Sequence, residues 1–122
     1  MQREPVIAVI EDDGSFRTAL VESLRSQGYD ARGFASAEEF IDAGAERSSD
    51  CVITDIHMPG MNGLELGRLL TVRPSRVPVI MITARTEPGL DARAETNGAV
   101  CLLRKPFNAD ALIECLKKAL QV

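Results

Sequence analysis

The sequence predicts a single doubly wound α/β domain, a parallel sheet covered by helices on both faces. Short apolar runs alternate with amphipathic stretches along the whole chain. The runs are continuous rather than every second residue, as in strands buried on both faces. A chain of 122 residues, 45% apolar and 26% charged, suits one globular core. No linker rich in Pro, Gly or Ser and no internal repeat breaks the pattern, so residues 1–122 read as one domain.

Val6 to Ile10 is the first such run and stops at Glu11-Asp12-Asp13. Phe16, Ala19, Leu20, Ser23, Leu24 and Gln27 follow at helical spacing, and Gly28 stands where a glycine ends a helix. Tyr29 to Phe34 reads as a weaker strand. Ser36 and Glu39 have capping-box spacing before a helix carrying Phe40 and Ile41. Cys51 to Thr54 is the third strand, ending at Asp55. A turn-rich segment, Met58 to Gly63, precedes a helix with Leu64, Leu66, Leu69 and Leu70. Pro78 to Ile82 is the fourth strand, ending at Thr83. Residues 86–97 hold Pro88-Gly89 and one large apolar side chain, Leu90, which predicts a short or loosely packed helix. Val100 to Arg104 is the fifth strand, ending at Lys105. Asn108 caps a last helix that turns Leu112, Ile113, Leu116, Ala119 and Leu120 inward, with Lys117-Lys118 near its C-terminal end, where cations complement the helix dipole.

Composition excludes several classes of function. Lys+Arg 14 against Asp+Glu 18 leaves a net charge of −4 with no basic run, so the chain has no footprint for a nucleic-acid backbone. One Tyr, four Phe and no Trp offer few stacking platforms for bases. Cys51, Cys101 and Cys115 are odd in number and lack metal-ligand spacing, which points to reduced, packed thiols. The apolar run near the N-terminus is too short for a signal peptide or membrane span. The expected location is the cytoplasm.

In a doubly wound sheet the ligand crevice lies outside the carboxyl ends of the strands. Glu11, Asp12, Asp55, Thr83 and Lys105 all fall there. Two carboxylates about 4 Å apart repel by about 4 kcal/mol at an effective dielectric of about 20, so the acidic cluster needs a cation or a proton. Mg²⁺ fits best, because it uses few carboxylates, keeps waters and accepts phosphate oxygens. Singly, each residue has an ordinary reading as a cap or turn. Their conjunction at four strand ends does not.

Across essentially the whole chain the sequence resembles the receiver domains of two-component response regulators, and among them the chemotaxis and FixJ types. The resemblance rests on Ile10-Glu11-Asp12-Asp13, on Asp55-Ile56-His57-Met58-Pro59-Gly60-Met61-Asn62-Gly63, on Ile82-Thr83-Ala84 and on Lys105-Pro106-Phe107. It implies a (βα)5 flavodoxin-like three-layer sandwich with strand order 2-1-3-4-5. In receivers the first acid lies six positions before a frequent Arg of the first helix. Arg17 therefore selects Glu11 and Asp12 as the acidic pair and leaves Asp13 to start the helix.

The resemblance further implies that Asp55 accepts a phosphoryl group from a phosphohistidine of a sensor histidine kinase or phosphotransfer protein. Mg²⁺ would be held by Asp12, Asp55, the main-chain carbonyl of His57 and, through water, Glu11. Lys105 and Thr83 would engage phosphoryl oxygens, with backbone N–H groups after Asp55 and at Ala84. The His57 and Arg85 side chains would tune the phosphate lifetime, and the Lys105-Pro106 bond would be cis. Such a domain catalyses only its own phosphorylation and dephosphorylation. Its readout is the α4-β5-α5 face, offered to a C-terminal output domain, a downstream protein or a second copy in a phosphorylation-dependent homodimer. Leu102 departs from the pattern, because many receivers have Tyr or Phe there as part of the switch. Phosphatases of the haloacid-dehalogenase type need an Asp where His57 stands, and a flavodoxin-like phosphate cradle is opposed by Glu11-Asp12-Asp13. The alternative kept open is a receiver-like interaction module that works without phosphorylation.

Overall fold

Five parallel strands form one sheet in the order β2-β1-β3-β4-β5, in a computed structural model that describes residues 3–121. The strands are β1 Val6–Ile10, β2 Asp30–Phe34, β3 Cys51–Asp55, β4 Val79–Thr83 and β5 Ala99–Arg104. The helices α1 Gly14–Ser26, α2 Ala37–Asp42, α3 Gly63–Thr71, α4 Leu90–Thr96 and α5 Ala109–Leu120 alternate with them.

The two-residue period of a strand divides the apolar runs between two cores. Ile7, Val9, Ile53, Ile80 and Ile82 pack with Leu20, Val21 and Leu24 of α1 and Leu112 and Leu116 of α5. Ala8, Ile10, Val52, Val79 and Met81 face the other way, onto Phe40 of α2, Leu64, Leu66 and Leu70 of α3 and Leu90 and Ala94 of α4. Each fully buried Leu or Ile contributes about 1.5–3 kcal/mol, which is why the central strands are apolar on both faces. The result is the three-layer sandwich.

Helix ends show where local sequence sufficed and where it did not. Asp13 caps α1, accepting from the N–H groups of Ser15 and Phe16. At the other end the N–H of Gly28, at φ 93°, donates to the Arg25 carbonyl, and the N–H of Tyr29 donates to the Leu24 carbonyl. That is a Schellman motif, so Tyr29 belongs to the helix stop and β2 begins one residue later than its apolar character suggests. Ser36 accepts from Glu39 N–H as its spacing predicts, but no reciprocal bond from Glu39 completes a box. The complete capping box opens α3, where Asn62 and Glu65 each accept the other's N–H, a pairing the turn-rich reading of this segment missed. α4 is short, as predicted, and starts from Gly89 without a side-chain cap. Of the cysteines, Cys51 is buried, while Cys101 and Cys115 are half-buried between β5 and α5.

Candidate functional site

The C-terminal ends of the strands bring Glu11, Asp12, Asp55, Thr83 and Lys105 to one rim. Sheet hydrogen bonds run on past the strands and hold the rim in place: Glu11 N–H to the Phe34 carbonyl (3.0 Å), Ile56 N–H to Ile82 (2.9 Å) and Lys105 N–H to Thr83 (2.8 Å). Glu11 is only 1% exposed. Its Oε1 accepts from Lys105 Nζ at 2.7 Å and its Oε2 from Asp13 N–H at 3.2 Å. The guanidinium of Arg17 donates to the Glu11 carbonyl at 2.6 Å, which is the physical content of the six-residue spacing between them.

Asp55 ends β3 and is buried. One carboxylate oxygen, Oδ1, accepts from His57 N–H at 3.3 Å, and Oδ2 accepts from Lys105 Nζ at 3.3 Å. The ammonium of Lys105 thus bridges Glu11 and Asp55, and it lies 4.2 Å above the ring of Phe16. Burial works to lower its pKa, but the hydrogen bond to Glu11 and the charges of Asp55 and Glu11 raise it overall, so it stays charged. Asp12 is exposed at the rim, and its carboxyl is pushed above its ordinary value first by partial desolvation and then by the hydrogen bond and charge of Glu11.

Carboxylate oxygens of Glu11, Asp12 and Asp55 lie within 4.8 Å of one another. One ammonium against three carboxylates leaves the cluster short of positive charge, and an all-oxygen donor set suits a hard divalent cation. The His57 carbonyl accepts no hydrogen bond among the described residues, which leaves it available as a fourth oxygen.

Thr83 is fully buried. Its hydroxyl accepts from Arg85 N–H at 3.0 Å and lies 3.3 Å from His57 Nδ1. Nε2 of the same imidazole is 3.3 Å from Glu87 Oε1. Beside them opens a cleft of about 370 Å³ lined by His57, Met58, Pro59, Asn62 and Arg85.

The model of one family, described as the response regulator receiver domain, matches residues 7–117. The chain belongs to this family. Among curated receiver-containing relatives, the transcriptional regulatory protein FixJ of Azorhizobium caulinodans is 36% identical over 114 residues, covering 93% of this chain and 54% of its own length. TdiR of Thauera aromatica is 32% identical, with 93% and 50% covered. The chain therefore spans about half the length of the relatives it matches first. A response regulator receiver protein from Burkholderia phymatum has a solved structure that superposes with a TM-score of 0.84 at 38% identity, covering 98% of this chain and 97% of that one.

Arg85 is exposed at the cleft, with its guanidinium 3.2 Å from Glu87 Oε1. Leu102 is half-buried against the core beneath α4, filling space with an aliphatic side chain. The Lys105-Pro106 peptide is cis. Two residues at this receiver's site were not singled out from sequence. Phe16, under Lys105, read only as an apolar position of α1. Glu87 carried no signal at all, since its partners His57, Arg85 and Arg93 come from the loop after β3, the loop after β4 and α4.

No described helix is long and apolar enough to cross a membrane.

Proposed function

We propose that this receiver takes a phosphoryl group on Asp55 from the phosphohistidine of a sensor histidine kinase or phosphotransfer protein in the cytoplasm. The observation that carries the proposal is the cluster of Glu11, Asp12 and Asp55 oxygens within 4.8 Å, with the Lys105 ammonium 3.3 Å from Asp55 Oδ2. In the transfer, the P–N bond to the donor imidazole breaks, a P–O bond to an Asp55 oxygen forms, and the imidazole leaves with the bonding pair. The transferring group carries its charge on three oxygens, so the protein's work is positioning and neutralisation.

Asp12, Asp55 and the His57 carbonyl are the groups that would hold Mg²⁺, with Glu11 behind them. When bound, the ion offsets the charge of the carboxylates and of the incoming phosphoryl group. Lys105, already between Glu11 and Asp55, needs only to turn from one carboxylate to pair with a phosphoryl oxygen. The Thr83 hydroxyl and the N–H groups of His57 and Ala84 supply the remaining hydrogen bonds. Glu11 keeps Lys105 charged and aimed. The same residues serve hydrolysis of the acyl phosphate, so the domain acts only on itself.

The new charge at Asp55 draws Thr83 inward and repacks α4, β5 and α5, the face offered to an output domain, a downstream protein or a second copy. Arg104, paired with Asp91 through contacts of 3.1 and 3.2 Å, couples β5 to α4 on that face.

Incubation with Mg²⁺ and acetyl phosphate, followed by intact mass measurement, tests the proposal. The wild-type chain gains one phosphoryl group and Asp55→Asn gains none. No gain by the wild type, or an equal gain by the variant, overturns it; the former favours an interaction module that works without phosphorylation.

A further inference from the structure

Two of the three thiols meet where α5 covers the edge strand of the sheet. Cys101 lies on β5 and Cys115 on α5, both half-buried and both packed on the same face of the core. Their thiols interact directly, side chain to side chain. The spacing of the cysteines hides this pairing, because the whole turn from β5 into α5 separates them in sequence. Cys51 lies deeper. It is fully buried in β3, with its thiol directed at the Val52 carbonyl at 3.8 Å. Burial pushes that thiol up to about 12, so almost none of it is thiolate at neutral pH and it stays out of thiol chemistry.

The setting of the outer pair orders what they can do. Cys101 is part of the lining of a groove of about 170 Å³ beside α4, which gives a small molecule a way to the edge strand. The Cys115 thiol is held up to about 12, first by burial and then by Cys101, with Lys118 working against them. A thiol so held is a poor first nucleophile. It serves better as the group that attacks a partner already oxidised.

We propose that Cys101 and Cys115 close a reversible disulfide when the protein meets a peroxide, clipping β5 to α5. With hydrogen peroxide, the Cys101 sulfur attacks one oxygen, the O–O bond breaks, and a sulfenic acid and one water result. The Cys115 sulfur then attacks the Cys101 sulfur, the S–O bond breaks, and the departing hydroxide takes the Cys115 thiol proton to leave as a second water. The two cysteines give up two electrons and two hydrogens, and the peroxide is reduced to two waters. The new bond joins two elements of the face that the phosphoryl switch would repack, so it restrains that repacking. This effect on signalling rests on the proposed role of Asp55, whereas the bond itself does not.

The test treats the reduced protein with hydrogen peroxide, removes the excess and maps the cysteines by mass spectrometry. Trypsin leaves Cys51, Cys101 and Cys115 in separate peptides, because Arg68, Arg93 and Arg104 stand between them. The wild type is expected to fall from three free thiols to one and to yield the Cys101 peptide joined to the Cys115 peptide. Dithiothreitol restores all three. Phosphoryl uptake from acetyl phosphate and Mg²⁺ by the bonded protein falls about fivefold, the low end of an ordinary coupling between two sites, and recovers on reduction. Cys115→Ser, which cannot close the bond, keeps its uptake through the same treatment.

Three thiols surviving the peroxide, a bond to Cys51, or disulfide-linked dimers overturn the pairing. No fall in uptake by the bonded wild type, or an equal fall in Cys115→Ser, overturns the restraint on the switch. Failure of the reduced wild type to take up phosphate instead overturns the phosphoacceptor reading, while the thiol count still decides the bond.

Discussion

Lys105 spans the gap between two carboxylates that would otherwise face each other across the end of the sheet, and Asp12 is left as the acid with least compensation. Its carboxyl pKa is raised above the ordinary 3.8, first by desolvation and then by Glu11. A raised folded pKa means that the native state holds that proton more tightly than the unfolded chain. Asp12 thus favours folding most at pH below its ordinary pKa, and that contribution is lost as pH rises through the raised value. At neutral pH, without divalent cation, Asp12→Asn is expected to stabilise the domain by roughly 0.5–1 kcal/mol, a rise in Tm of a few degrees. The gain should shrink as pH falls, and the stabilisation that Mg²⁺ confers on the wild type should be largely lost in the variant. Thermal melts across pH, with and without MgCl2, measure all three effects. Glu11, Asp12 and Asp55 were legible as a group because strand ends of a parallel sheet share a rim. That Lys105 would bridge Glu11 and Asp55 was not, because an ammonium on a flexible stem has several carboxylates within reach.

The elements around the site are held by contacts of different range. α3 starts with the Asn62–Glu65 box, and Gly63 lies so close to the end of β3 that an added Cβ would collide with the Asp55 carbonyl oxygen and press on Ile56. Both opposing atoms belong to backbone, so relief requires moving the strand end that carries Asp55. Gly63→Ala is therefore expected to cost about 1–3 kcal/mol, read as a lower denaturation midpoint in urea, and to slow phosphoryl uptake. The reason for glycine at this position is a helix packed on a strand end, which no local pattern reveals. The Asn62–Glu65 spacing, by contrast, stood in the sequence and was masked by the surrounding turn residues. Ser36 and Glu39 had the same spacing, yet it is the neighbouring Glu38 that reaches away from α2, accepting from Met61 N–H at 2.8 Å and steadying the loop before α3. Its carboxyl is held below its ordinary pKa chiefly by that N–H.

At the scale of the molecule, Asp50 ties the start of β1 to the segment entering β3. Its Oδ2 accepts from Val6 N–H at 2.7 Å, and its two oxygens pair with the Arg3 guanidinium at 2.7 and 2.9 Å. The Arg3 hydrogen bond is the main cause of a lowered pKa, opposed by desolvation and aided by Val6 N–H and the Arg3 charge. For a lowered carboxylate the stabilisation is present above the unfolded pKa and lost as pH falls through the folded one. Asp50→Ala should cost about 1–2 kcal/mol at neutral pH, and the variant and wild type should converge in strong acid, as denaturation followed across the acid range will register. The sequence alone determined the alternation of strands and helices, the two-faced core and the rim on which Glu11, Asp12, Asp55, Thr83 and Lys105 meet, because burial periodicity and strand polarity are properties of local residue order. Tertiary structure alone decided which side chains pair on that rim, that Gly63 must yield space to Asp55, and that the His57 ring lies between Thr83 and Glu87. Those contacts join residues from separate elements, and their distances exist only once the sheet has brought the loops together.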